Sequence, residues 1–129
     1  KYVATHDGKV GLMIWESESG KLLHCIERVR HASYTRVLEF SPDSKYVAMD
    51  ALSKVLIVDV TSGQIAGSFG QIAVAQIRWS TDGGTLTVVT HHHHYKGGPE
   101  HLYNHYMAVY AWDWRNGKRI KAMDSPPPR

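Results

Sequence analysis

Residues 40–64 read FSPDSKYVAMDALSKVLIVDVTSGQ, and this stretch decides the fold. SPDS at residues 41–44 places Pro42 where a type I turn requires a fixed φ, and Ser62-Gly63 supplies a second turn signal at the far end. Between them lie two short runs rich in Val, Ile, Leu and Met. The second, VLIVDV at residues 55–60, is apolar on both faces of an alternating strand, which suits a sheet covered on each side. Helical periodicity is nearly absent from the rest of the chain. Short runs of Val, Ile, Tyr and Trp recur instead, separated by turn dipeptides every 8–12 residues or so, the pattern of an all-β protein. Asp7-Gly8, Ser19-Gly20, TDGG at residues 81–84 and Asn116-Gly117 are further turns of this kind.

Working outward, the stretch repeats. KYVA at residues 1–4 returns at residues 45–48, LMIWESESGK from Leu12 aligns with VLIVDVTSGQ from Val55, and LEFSPD ending at Asp43 aligns with IRWSTD ending at Asp82. VYAWDWRNGK at residues 109–118 closes a further copy, after a longer interval that marks an insertion. Intervals of about 40–45 residues correspond to one supersecondary unit of about four strands. With Trp112-Asp113, and its counterparts Trp15-Glu16 and Val58-Asp59, these copies resemble the WD-repeat β-propellers over nearly the whole chain. The Gly-His pair of that family is missing, with His31 near its place.

The resemblance implies antiparallel four-stranded blades of a β-propeller, incomplete in this chain. It divides residues 1–123 into strands c and d of one blade (2–5, 11–15) and a full second blade (22–26, 36–40, 46–49, 55–60). A full third blade (64–69, 75–79, 86–90, 107–112) and strand a of the next (118–123) follow. Residues 91–106 form a His-rich insertion in a c–d turn, and residues 124–129 a Pro-rich end or linker. About 2.75 blades fall short of the four to eight of a closed ring. The expected arrangement is a piece of a larger propeller, with the remaining blades in the same chain or in a second copy. A small β-sheet domain that imitates the pattern is the other reading.

Composition narrows the function classes. The chain has 129 residues, 43% hydrophobic and 21% charged, which is ordinary for a globular protein. No apolar run approaches the ~18 residues of a membrane helix, so no membrane partner is expected. The sequence does not begin with Met and is read as a cut from something longer. The single cysteine, Cys25, has no internal partner, which favours an intracellular, cytoplasmic setting. Fifteen basic and twelve acidic residues are interspersed, so no tract grips a phosphate backbone and nucleic acid is not an expected partner.

Six of the nine histidines fall in the insertion: His91 to His94, His101 and His105. Pro99 and Glu100 would open a short helical turn, on which His101 and His105 share a face. With His91 and His93 they form a candidate zinc or copper site, since neutral imidazole is a usual ligand of both. A solvated loop without metal, and hence no cofactor, is the weightier reading, and a pH-sensitive contact is a third. Asp7 and Asp50 precede matching strands, and the resemblance implies that they hold turn amides. Asp43 and Asp82 read as turn-forming residues. Cys25 lies beside His24, but neighbours on a strand point to opposite faces, so His24 is no base for it and a small buried thiol is expected. No G-x-S-x-G, Walker-type, H-E-x-x-H or C-x-x-C motif occurs, and an enzyme is not expected.

Basic residues cluster at Arg28, Arg30, His31 and Arg36, near Tyr34, and again at Arg115, Lys118, Arg119 and Lys121. Solvated rim charge accounts for both clusters by default. The resemblance places the second at a blade crossing, where propellers meet partners. The expected function is a non-enzymatic scaffold for other proteins in a multiprotein complex, with Trp112, Arg115, Lys118 and Arg119 in contact. The alternative is a metal-binding propeller using the His-rich insertion.

Overall fold

The computed structural model describes residues 1–7, 10–27, 37–51, 54–70, 73–95 and 103–124, with the backbone alone at 93–95, 103–106 and 124. Eleven strands are assigned among them: β1 (Tyr2–Asp7), β2 (Gly11–Glu16), β3 (Leu22–Ile26), β4 (Leu38–Phe40), β5 (Tyr46–Ala51) and β6 (Lys54–Asp59). Next come β7 (Ile65–Gly70), β8 (Val74–Trp79), β9 (Thr85–Tyr95), β10 (Tyr103–Asp113) and β11 (Lys118–Asp124). They form three antiparallel sheets, in the orders β1-β2-β3, β4-β5-β6-β7 and β8-β9-β10-β11. The protein is all-β, with sheets of three, four and four strands that are consistent with incomplete propeller blades.

The middle sheet is buried on both faces. One face, through Val47, Met49, Leu56 and Val58, shares a core with Leu12 and Ile14 of the first sheet. The other, through Ala48, Val55, Ile57 and Phe69, shares a core with Ile77, Leu86, Val88 and Trp114 of the third. Val55, Leu56, Ile57 and Val58 are at most 4% exposed, so β6 is apolar throughout because neighbours cover both its sides. Burying each such aliphatic side chain is worth about 1.5–3 kcal/mol.

Two turn types organise the sheets. Between β4 and β5, the Ser41 hydroxyl donates to Asp43 Oδ1 (2.7 Å) and accepts from Tyr46 N (2.9 Å), while Lys45 N donates to Asp43 Oδ1 (3.0 Å). Between β8 and β9 the same set recurs with Ser80, Asp82, Thr85 and Gly84. The second type follows the Glu16, Asp59 and Asp113 positions, where Gly20, Gly63 and Gly117 take φ of 71°, 72° and 62°. That left-handed step lets the chain reverse tightly, and at Asp59 the carboxylate accepts from Thr61 N (2.8 Å) and Ser62 N (3.0 Å).

These tight reversals correct the division into blades read from the sequence. β3, β7 and β11 each follow a short hairpin, so each pairs at once with the strand before it and completes that strand's own sheet. None of them begins the next sheet. Passage to a new sheet comes after β3 and after β7 instead. The 114–117 segment is therefore a hairpin within the third sheet, not a blade crossing. The insertion is corrected too: β9 and β10 stay paired out to Tyr95 and Tyr103, so much of 91–106 extends a β-hairpin. Cys25 is exposed rather than buried. It lies in the last strand of the first sheet, opposite Met13, on the face turned away from the middle sheet.

Candidate functional site

Two regions carry the candidate residues, and the first is the turn rim between the second and third sheets. Trp114 is 2% exposed; its indole donates to Gly83 O (2.8 Å) and meets Tyr46 edge-on, ring centroids 4.9 Å apart. Trp79 contacts the same indole at 5.9 Å and donates to Glu39 O (3.1 Å). A side chain at Gly67 would press on the Trp114 ring at 3.0 Å, so the absence of one lets the indole lie over β7. The exposed Arg115 covers this aromatic group, its guanidinium 4.5 Å from the Trp114 centroid and 5.9 Å from that of Tyr46. A cation over an aromatic face is worth about 0.5–1 kcal/mol at an exposed site.

The other predicted contact residues lie close by. Trp112 is half-buried and stacks on Phe69 of the middle sheet, centroids 4.5 Å apart and planes 14° from parallel. It therefore joins two sheets. Arg119 lies over the Tyr110 ring at 5.2 Å, and Lys118 is exposed at the start of β11, opposite Asp113. A bulge between Ala111 and Trp112 brings Trp112 opposite Arg119. The sequence singled out Trp112 and missed Trp114, Tyr46 and Trp79, although the Trp-Asp-Trp run at residues 112–114 was the available signal. The first basic cluster, Arg28, Arg30, His31 and Arg36 with Tyr34, lies outside the described residues.

Charge at this rim is set by the turns. The Ser80 hydroxyl holds the Asp82 carboxyl below its ordinary value, helped by Gly84 N and by nearby Arg115. The Ser41 hydroxyl and Lys45 N do the same for Asp43. Asp7 is exposed and accepts from Val10 N (3.2 Å). Asp50 is fully buried and accepts from Val37 N (2.8 Å), tying β5 to the residue that precedes β4.

The second region is the outer part of the β9–β10 hairpin. The register sets His91 opposite Met107, His92 opposite Tyr106, His93 opposite His105 and His94 opposite Asn104. His105 thus stands on a strand and not on a helical turn; His101, Pro99 and Glu100 lie outside the described residues. His92 Nε2 is 2.8 Å from the hydroxyl of the buried Thr90.

No protein-family model and no curated protein matches the chain. Similarity to solved structures is clear. An acylaminoacyl peptidase of Pyrococcus horikoshii superposes with a TM-score of 0.67 at 14% identity, over 89% of this chain and 20% of that one. A eukaryotic initiation factor superposes with a TM-score of 0.61 at 14% identity, over 92% of this chain and 28% of that one. At this identity the likeness is one of fold alone. The chain spans between a fifth and just over a quarter of those chains, and its sheets are compatible with a β-propeller-like fold. The peptidase overturns the expectation that the chain is not part of an enzyme, because the same arrangement of sheets occurs in one. Among the described residues, no helix is long and apolar enough to cross a membrane.

Proposed function

We propose that this chain is a segment of a larger β-propeller that serves as an interaction unit, with further blades on both sides of the stack. The supporting observation is the contrast between its sheets. Strands β5 and β6 of the middle sheet are apolar and buried on both faces, with exposure of large apolar side chains confined to its edge at Ile65 of β7, whereas the outer sheets turn Val3, Leu22, Met107 and Met123 to solvent at 42–49% exposure. Val3 pairs with Trp15, and Met13 with Cys25, on the uncovered side of the first sheet. Val109 pairs with Met123 on the uncovered side of the third. Exposed apolar side chains that share one side of a sheet suit a place where another element belongs.

The partners in this reading are other proteins of a multiprotein assembly. Arg115, Lys118 and Arg119 would present charge at one rim, on a scaffold whose backbone needs little ordering on binding. Native mass spectrometry of the protein purified from its natural source tests the reading. A chain much heavier than 14.5 kDa supports it, as does a complex of several such copies. A 14.5 kDa monomer overturns it.

A further inference from the structure

The two junctions between the sheets follow one pattern, which also defines what would fit the open faces at the two ends of the stack. Positions correspond through the repeat: Ile14, Ile57 and Ala111 are equivalent, as are Trp15, Val58 and Trp112. At the second junction Phe69, opposite Val55, stacks on Trp112 of the third sheet. Gly67, opposite Ile57, leaves room there for Trp114. At the first junction the place of Gly67 is taken by His24, opposite Ile14, and its Nε2 lies 3.0 Å from Thr61 O in the turn after β6. The last strand of each sheet thus offers two positions to the sheet that follows.

In the third sheet those two positions are Met123, opposite Val109, and Lys121, opposite Ala111. Both are exposed, Met123 at 49% where its equivalent Phe69 is at 4%. The first sheet carries the matching receivers on its outer side. Trp15 stands at the place of Trp112, and the exposed Glu18 at the place of Thr61. Ser17 stands at the place of Trp114, so a short side chain would face the long Lys121, as the bulky Trp114 faces Gly67 at the second junction. Val3, at the place of Val47, is 46% exposed where Val47 is fully buried against the first sheet.

We propose that the open face of the third sheet docks on the open face of the first sheet of a second copy, so that two copies of this chain join head to tail. The Met123 thioether would lie against the Trp15 indole, a favourable sulfur–aromatic contact. The Lys121 ammonium would lie beside the Glu18 carboxylate, and opposite charges across an interface fix its register more than its strength. A head-to-tail contact between unlike faces can be made twice in a two-fold ring. Three sheets from each copy then give six, within the range of about four to eight for a closed propeller. This junction rests on the propeller reading above and narrows it: a second copy, not a further blade of one longer chain, covers the two faces.

Sedimentation equilibrium of the full 129-residue chain over a range of concentrations is the test, beside native mass spectrometry of the protein from its natural source. A reversible dimer of twice 14.5 kDa is expected. M123E, at an exposed position of an edge strand, and W15E should each weaken dimerisation by more than about 30-fold. An equimolar mixture of the two variants should recover a 1:1 heterodimer, because one of its junctions is intact, and that recovery shows that both variants fold. K121E should weaken the dimer by about 10-fold, and E18K/K121E should restore it. A monomer at concentrations up to about 1 mM, W15E dimers as stable as the parent's, no heterodimer from the mixture, or failure of E18K to rescue K121E would each overturn the junction. A natural chain whose own further blades cover the two faces overturns the second copy and leaves the interaction-unit reading standing. A natural 14.5 kDa monomer overturns both.

Discussion

Ser44 takes φ 61° in the turn between β4 and β5, where Gly83 takes φ 73° at the matching place between β8 and β9. A side chain in the left-handed region is strained by roughly 1–2 kcal/mol, partly offset by the greater unfolded-state entropy of glycine. S44G should therefore raise stability by about 0.5–1 kcal/mol in urea denaturation, and G83S should lower it. The same two turns predict an acid response. The carboxyls of Asp43 and Asp82 are held below the unfolded value of 3.8 by the Ser41 and Ser80 hydroxyls. A depressed carboxyl contributes stability that is fully present above the unfolded value and is lost as pH falls through the folded one. The D43N/D82N pair should flatten the loss of stability seen below pH 3.8 in the parent, as followed by urea titrations at a series of acid pH values.

At the scale of an element, β6 holds the stack together. Leu56 and Val58 belong to one core, and Val55 and Ile57 to the other, within a single strand. Ile57 is fully buried against the third sheet. I57A should cost about 2–5 kcal/mol, the transfer of the lost carbons plus the cavity left behind, and the loss should appear as a lower denaturation midpoint. Trp114 performs the corresponding task from the turn side, reaching across to Tyr46 of the middle sheet. Both sites lie where two sheets meet, so damage at either should separate neighbouring sheets and not merely fray an edge.

For the whole molecule, the uncovered sides of the first and third sheets make a thiol a reporter. Cys25 is exposed on the outward side of the first sheet, beside Met13. In the 129-residue chain, diluted to the monomer, it should react with a maleimide at the rate of an open thiol. If a further blade covers that face in a longer protein, as proposed, labelling there should be much slower until the protein is denatured. Equal rates in both would count against further blades on that side. Likeness of fold to both a peptidase and an initiation factor shows why activity cannot be argued from the sheets.

The sequence by itself determined the turns, the repeat and where most strands lie, but not how far β9 and β10 extend. Pro42, Asp43, Asp82, Gly63 and Gly117 act through local backbone geometry, which a stretch of chain carries with it. The apolar run at residues 55–58 announced a strand covered on both faces for the same local reason. Sheet membership was not legible, because β3 could pair backward to β2 or forward to β4 and both edges offer the same hydrogen-bonding groups. The tight reversal at Gly20 decides for β2, and only pairing across the sheet shows it. The histidine run misled in the same way. A polar stretch with Gly-Gly-Pro reads as a loop, yet cross-strand pairing extends through it and brings His93 opposite His105, twelve residues further along the chain. Local sequence sets where the chain extends and turns, and tertiary pairing decides which residues then stand side by side.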